Sequence, residues 1–401
     1  MLKQPSLEEA QEALLHRIEP LARETVPLPE AMGRVLAADI LAPHDLPSHP
    51  LAALDGFALP EKGVKGARFM IKKYLEPGEI PSFTLGPAEA AGVVTGGHIP
   101  PGTKEVVRQE AVRVEGEFVV IREETGGKNN IRAAGEDFRA GAEIARHGTR
   151  ITPGLIAALA AFGIAAVDVH RRPRVLILNL GKEVVPHAGE ASPGQVRDSN
   201  GPLLAALVKR DGGETVAVAT TGATGLAGPE PLLENMLRQA DLVITVGGTA
   251  SGNNDRALRV LRALEARLIF WGVQIKPGSH SGAAEKDNRV VISLSGNPSA
   301  CAVGYELLAA PVLRKLQGLN PHPIRLPAVC ANSFKKTGQR RFLWGYITGN
   351  HDGLVVTVLP GQKSSMLQSF VKGNALIDLP AWHPPLEPGA RVSVIPLNPL
   401  F

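Results

Sequence analysis

Between residues 241 and 300 short apolar runs alternate with glycine-punctuated loops, and this pattern limits the possible folds more than any other stretch of the chain. Residues 241–255 read as a buried strand opening into a small-residue loop, Gly247-Gly248 through Ser251-Gly252 to Asp255. Two further turns follow, Lys276-Pro277-Gly278 and Ser295-Gly296-Asn297-Pro298. In an open α/β sheet such loops fall at the carboxyl ends of strands, where bare backbone amides and helix N-termini hold phosphate and other oxyanions. The expected ligand is therefore an anionic small molecule.

The flanking sequence keeps the alternation. Strands are expected over 174–179, 214–219, 241–246 and 290–294, with helices over 202–209, 231–239, 256–262 and 299–316. Strands apolar on both faces and separated by helices predict a doubly wound, mainly parallel sheet. Upstream, Ser6 and Glu9 form a capping box. Leu7, Ala10, Leu14, Ile18 and Leu21 then recur at helical spacing, predicting an amphipathic helix that ends before Pro27. From about 46 to 140 short β-prone runs separated by Gly and Pro predict a mostly β module. Thr152 as cap and Pro153 in the first turn start another helix. Beyond a linker near 318–323, β-prone runs predict a small β domain.

Composition excludes more than it identifies. The 401 residues suit two to four domains, and 44% hydrophobic with 20% charged residues is ordinary for a globular protein. A formal charge of +4 with dispersed Lys and Arg gives no basis for nucleic-acid binding. The N-terminus lacks the apolar core of a signal peptide and no apolar run has the length of a membrane span, so a cytoplasmic protein is expected. Cys301 and Cys330 lack metal-ligand spacing and read as buried small side chains.

The ordered motifs Asp55-Gly56-Phe57-Ala58, Thr95-Gly96, Gly135-Glu136-Asp137, Gly181-Lys182-Glu183, Asp198-Ser199-Asn200, Gly247-Gly248 to Asp255, Lys276-Pro277-Gly278 and Ser295-Gly296-Asn297-Pro298 resemble the molybdopterin molybdenumtransferase family, which includes the C-terminal region of gephyrin. The resemblance runs nearly end to end. It implies a multidomain α/β protein: a helical linker region (1–45 and 141–170), an elongated mostly β module (46–140), a three-layer doubly wound α/β domain of molybdopterin-binding type (171–318) and a small C-terminal β-barrel (319–401). It also implies a homodimer that takes adenylylated molybdopterin and molybdate as substrates and releases AMP with Mg²⁺ or another divalent metal.

The same resemblance implies the site. Asp55, Glu183 and Asp255 are expected to be catalytic, with Glu183 and Asp255 as metal ligands. Thr95, Asp137, Asn200, Gly247, Gly248, Ser251, Gly252, Lys276, Gly278, Gly296 and Asn297 are expected to hold substrate and phosphate. Each has a structural alternative: Asp55-Gly56 as a turn, Asp137 closing a Gly-bounded hairpin, and Asp255 or Asn297 as a helix cap. Several loops depart from the family pattern. Leu180-Gly181-Lys182 replaces Thr-Gly-Asp, Ser279-His280 replaces Lys-Pro, Trp344 stands at an arginine position, and Thr220–Gly225 lacks an acidic pair. These departures leave an alternative open, a catalytically diverged paralogue that binds a pterin, a nucleotide or a protein partner without metal transfer.

Overall fold

Val175, Ile177, Leu178, Leu242, Val243, Ile244, Val291 and Ile292 have almost no solvent exposure, because their strands are covered on both faces. They lie at the centre of a seven-stranded sheet in the computed structural model, which describes residues 1–124, 126–221, 228–249, 255–351 and 353–397. The sheet runs in the order Leu2–Lys3, Arg267–Trp271, Gly282–Lys286, Arg289–Leu294, Leu242–Val246, Arg174–Asn179, Glu214–Thr220. Its neighbours pair in parallel except around Gly282–Lys286, which is antiparallel to both of its partners. The helices Asn200–Arg210, Pro229–Gln239 and Arg256–Ala263 supply the crossovers.

The sheet therefore matches the expected layered α/β domain, with three strands that its sequence did not announce: the two-residue Leu2–Lys3, Arg267–Trp271 and Gly282–Lys286. Arg267–Trp271 and Gly282–Lys286 carry charges at their ends and lack a long apolar run. The expected first helix is also shorter than its apolar repeat. It spans Leu7–Leu15 behind the Ser6–Glu9 capping box, and Arg23–Pro27 is a strand. Pro20 bars its continuation to Leu21, since the residue before a proline is pushed out of the helical region. The expected helix 299–316 is Pro298–Gly304, a π turn at Tyr305–Ala309, then Ala310–Leu316. Pro311 has no N–H and its ring collides with the carbonyl four residues back, and the π turn absorbs that conflict.

The chain divides into two units: Met1–Ala37 with His147–Ile151 and Val167–Phe401, and Ala38–Arg146 with Thr152–Ala166. The first unit holds the sheet and a closed five-stranded barrel ordered Leu326–Cys330, Gly353–Val358, Arg341–Asn350, Ala375–Leu379, Arg391–Pro396. Phe342, Trp344, Leu376 and Ile395 of the barrel join the core that lies on one face of the sheet. The second unit is a six-stranded sheet ordered Glu105–Arg108, Gly56–Leu59, Glu89–Val93, Arg68–Tyr74, Phe118–Ile121, Val112–Glu115, with the helix Pro153–Ala161 capped by Thr152.

Candidate functional site

Three loops meet where parallel strands of the first unit end. After Leu242–Val246 the backbone turns through Gly247 and Gly248, whose φ values of 74° and 67° suit glycine. After Arg289–Leu294 the chain enters Ser295-Gly296-Asn297, and a Cβ on Gly296 would sit 3.3 Å from Gly247 Cα, so the two loops touch through bare backbone. After Arg174–Asn179 the chain passes Gly181 and Glu183. These loops and residues 196–200 line a cavity of about 480 Å³.

The floor of this cavity is polar and built from buried groups. Asn179 Nδ2 donates to Asp198 Oδ2 at 2.6 Å, and Asp198 Oδ1 accepts from the Gly201 amide at 2.8 Å. A Cβ at Gly201 would lie 2.3 Å from that carboxylate, so a glycine is required there. Asn200 is 8% exposed, and its Nδ2 donates to the Gly296 carbonyl at 2.8 Å. Its Oδ1 is buried without a hydrogen-bond partner among the described residues. A buried unpaired acceptor costs about 1–3 kcal/mol, which a ligand donor or a cation would recover. Glu183 lines the same cavity, is exposed, and makes no ion pair among the described residues.

A second cavity, of about 600 Å³, shares Ser295 and Asn297 with the first. Lys276 and Gly278 line it on one side, and the barrel residues Arg341, Lys363 and Ser364 line it on the other. Lys276 lies five residues past the end of Arg267–Trp271, a strand that pairs in parallel with Leu2–Lys3 and runs in the same direction as Arg289–Leu294 across the intervening antiparallel strand. The barrel loop is pinned in place. Ser299 N donates to the Ser364 carbonyl at 3.1 Å, Asn297 Nδ2 to Ser364 Oγ at 3.3 Å, and Trp344 Nε1 to Ser299 Oγ at 2.7 Å.

The structure brings Glu183, Asn200, Gly247, Gly248, Gly296 and Asn297 around the first cavity, and Lys276, Gly278 and Asn297 around the second. It does not bring Asp255 to Glu183. Asp255 is 3% exposed; its Oδ1 caps the helix Arg256–Ala263 through Leu258 N at 2.9 Å, and its Oδ2 accepts from Trp271 Nε1 at 2.8 Å. It lines a separate cavity with Trp271 and His280. Ser251 and Gly252 lie outside the described residues. In the second unit, Asp55 and Thr95 are one hydrogen-bonded pair, with the Thr95 amide and hydroxyl donating to Asp55 Oδ1 at 2.6 and 2.7 Å. The amide, and after it the hydroxyl, hold the Asp55 carboxyl below the usual carboxylate range. Asp137 is exposed on a turn of the same unit, where its amide donates to the Leu46 carbonyl at 3.0 Å.

Sequence reasoning missed Asn179, Arg341, Lys363 and Ser364. Asn179 carried a signal, a polar residue closing an otherwise apolar strand. The other three lie in the barrel, more than sixty residues from Lys276, and no local pattern points from one to the other.

An open α/β sheet with glycine loops at its strand ends and an adjoining cationic cavity is the architecture of the α/β proteins whose strand-end crevices suit phosphorylated and oxyanionic ligands. Family profiles agree with this geometry. Residues 5–163 match the MoeA N-terminal region (domain I and II), 176–315 a probable molybdopterin binding domain, and 327–397 the MoeA C-terminal region (domain IV). A molybdopterin molybdenumtransferase of Staphylococcus epidermidis is 30% identical over 97% of this chain and 95% of its own length. One from Staphylococcus aureus is 29% identical over 97% and 94%. The crystal structure of the molybdopterin biosynthesis MoeA protein from Pyrococcus horikoshii OT3 superposes with a TM-score of 0.83 at 27% identity, covering 98% of this chain and all of that one. The chain belongs to the molybdopterin molybdenumtransferase family.

Proposed function

We propose that this protein acts in molybdenum cofactor biosynthesis as a molybdopterin molybdenumtransferase, placing molybdenum from molybdate onto adenylylated molybdopterin with release of AMP. The observation that carries the reading is the shared wall of the two cavities. A phosphate cradle of backbone amides abuts a cationic pocket through Ser295 and Asn297, so an adenylate phosphate and a tetrahedral oxyanion can be held side by side.

The donors fit a hard divalent cation such as Mg²⁺. They are all oxygens: the Glu183 carboxylate, Asp198 and the unpaired Asn200 Oδ1. Among the described residues no three His, Cys, Asp or Glu side chains stand together as a metal cage, which agrees with an ion held by one or two carboxylates plus water and substrate phosphate. The ion would neutralise phosphate charge and polarise the scissile bond. Glu183, Asp198 and Asn200 Oδ1 would hold it, and Gly247 and Gly248 would let the substrate phosphate approach the backbone. Asp255 fits this role less well, since it lines a separate cavity from Glu183 and Asp198. In the second unit we assign Asp55 a catalytic role, its charged form favoured by the Thr95 hydrogen bonds, and Thr95 and Asp137 to substrate contact.

We place the protein in the cytoplasm as a homodimer. Among the described residues no helix is long and apolar enough to cross a membrane. The deciding experiment is incubation of purified protein with adenylylated molybdopterin, Mg²⁺ and molybdate, with AMP as the readout and light scattering for the dimer. AMP release dependent on both metal and molybdate is expected. Binding of the adenylate without AMP release under Mg²⁺, Mn²⁺ or Zn²⁺ would sink the enzyme reading.

A further inference from the structure

Of the described residues lining the 600 Å³ cavity, none carries a carboxylate, while Lys276, Arg341 and Lys363 all line it. Lys276 and Arg341 are held on adjacent backbones: Lys276 N donates to the Arg340 carbonyl at 2.9 Å and Phe342 N to the Lys276 carbonyl at 2.9 Å, a parallel bridge between Lys276 and Arg341. Two like charges are thus fixed side by side. Such a pair is unfavourable unless an anion joins it.

The two neighbouring arginines differ in their partners. Arg340 is neutralised by Asp378 and Glu8 through bonds of 2.6–2.9 Å. Arg341 has no ion pair or side-chain hydrogen bond among the described residues, and its Nε is buried without a partner. Its Cζ lies 5.4 Å from the Phe334 ring, which orients the guanidinium without quenching its charge. Burial draws its pKa down and no counter-charge offsets this, the condition of a cation awaiting a ligand. Lys363 sits on a loop fixed from both ends, by Gln362 bonded to Trp344 N and the Trp344 carbonyl at 3.0 and 2.9 Å, and by Ser299 bonded to Ser364.

We propose that Arg341 and Lys363 are the oxyanion-specificity residues of this chain, supplying from the barrel the positive charge that the family pattern places at positions 279 and 344. Here those positions hold Ser279 and Trp344. Trp344 is 3% exposed and serves instead as the clamp that holds the Lys363 loop. The charge has moved rather than disappeared, and the planar guanidinium suits a tetrahedral dianion through paired N–H donors. The inference rests on the proposed function, and it concerns the molybdate half of the site rather than the adenylate half.

The test uses the full chain and titration calorimetry with molybdate, inorganic phosphate and AMP. Arg341→Gln and Lys363→Gln should each weaken molybdate binding about tenfold and together about a hundredfold, the usual worth of charge-assisted hydrogen bonds. AMP affinity should stay within about twofold of the parent, and the KM for molybdate should rise while kcat at saturation is kept. Arg341→Lys should retain most of the binding. Ser279→Lys should tighten molybdate in the parent chain and recover about tenfold in the double variant. This gain does not depend on tolerance of the losses. Inorganic phosphate binding as tightly as molybdate, with the same response to the variants, would show that the pocket takes the substrate phosphate and would overturn the specificity claim. Unchanged molybdate affinity in the double variant would overturn it too. A parent chain that binds AMP but no molybdate overturns the proposed function itself.

Discussion

At the scale of single residues, the same side-chain type does different work according to its partners. Asn200 donates one hydrogen bond to the Gly296 carbonyl and leaves a buried Oδ1 unpaired. Replacing it by alanine removes the acceptor offered to the ligand. Asn200→Ala is expected to weaken adenylate binding about tenfold, or ~1–2 kcal/mol, by calorimetry, with the circular dichroism spectrum intact; unchanged affinity would assign Asn200 to loop architecture alone. Asp55 allows a finer test. Its carboxyl is held low first by the Thr95 amide and second by the Thr95 hydroxyl. Thr95→Val removes only the hydroxyl, so the Asp55 pKa should rise part of the way towards its ordinary value, as carboxyl-carbon NMR titration would show. A depressed pKa means that the Asp55 contribution to stability is present above the unfolded pKa and fades as pH falls through the folded one.

At the scale of elements, the helix Arg256–Ala263 shows how a capping bond limits a catalytic assignment. Asp255 satisfies the Leu258 amide and the Trp271 indole at once. An asparagine has one oxygen for these two donors, and its amide would face an N–H. Asp255→Asn should therefore destabilise by about 1–3 kcal/mol and lower the melting temperature measurably. A large loss of AMP release with no change in melting temperature would return Asp255 to the metal. The strands and helices of the sheet were legible in the sequence because their apolar runs lie between turn residues. The antiparallel strand Gly282–Lys286 was not, since its sequence has no long apolar run and its place comes from pairing with Arg267–Trp271 and Arg289–Leu294. The two cysteines read as buried apolar side chains are buried in the structure.

At the scale of the molecule, buried ion pairs join segments that are distant in sequence. Asp241 precedes a central strand and binds Arg171 at 2.6 and 2.7 Å and the Arg174 amide at 2.8 Å. Burial alone would raise its pKa, yet the hydrogen bonds from Arg171 and the Arg174 amide, with the charges of Arg171 and Arg289, leave it lowered. The sign follows: this stabilisation holds above the unfolded carboxylate pKa and is lost as pH falls through the lowered folded value. Asp241→Asn should cost at most ~3 kcal/mol at neutral pH, since Arg171 and Arg289 remain partly exposed, and should flatten the acid limb of a pH-dependent unfolding series. An acid limb unchanged by the substitution would place the acid sensitivity elsewhere.

By itself the sequence determined the alternation of the apolar central strands with their helices, the capped starts at Ser6 and Thr152, and the glycine loops around which the candidate site forms. These depend on hydrophobic period and turn chemistry, which act over a few residues. The tertiary structure alone decided which polar groups remain free for a ligand. Asp255 is occupied by Trp271, Asn200 is half satisfied by Gly296, Trp344 is turned inward to Ser299, and Arg341 has no counter-charge among the described residues beside Lys276. Each outcome hangs on a partner 16 to 96 residues away, and hydrogen bonding across such separations is set by packing, which no local pattern encodes.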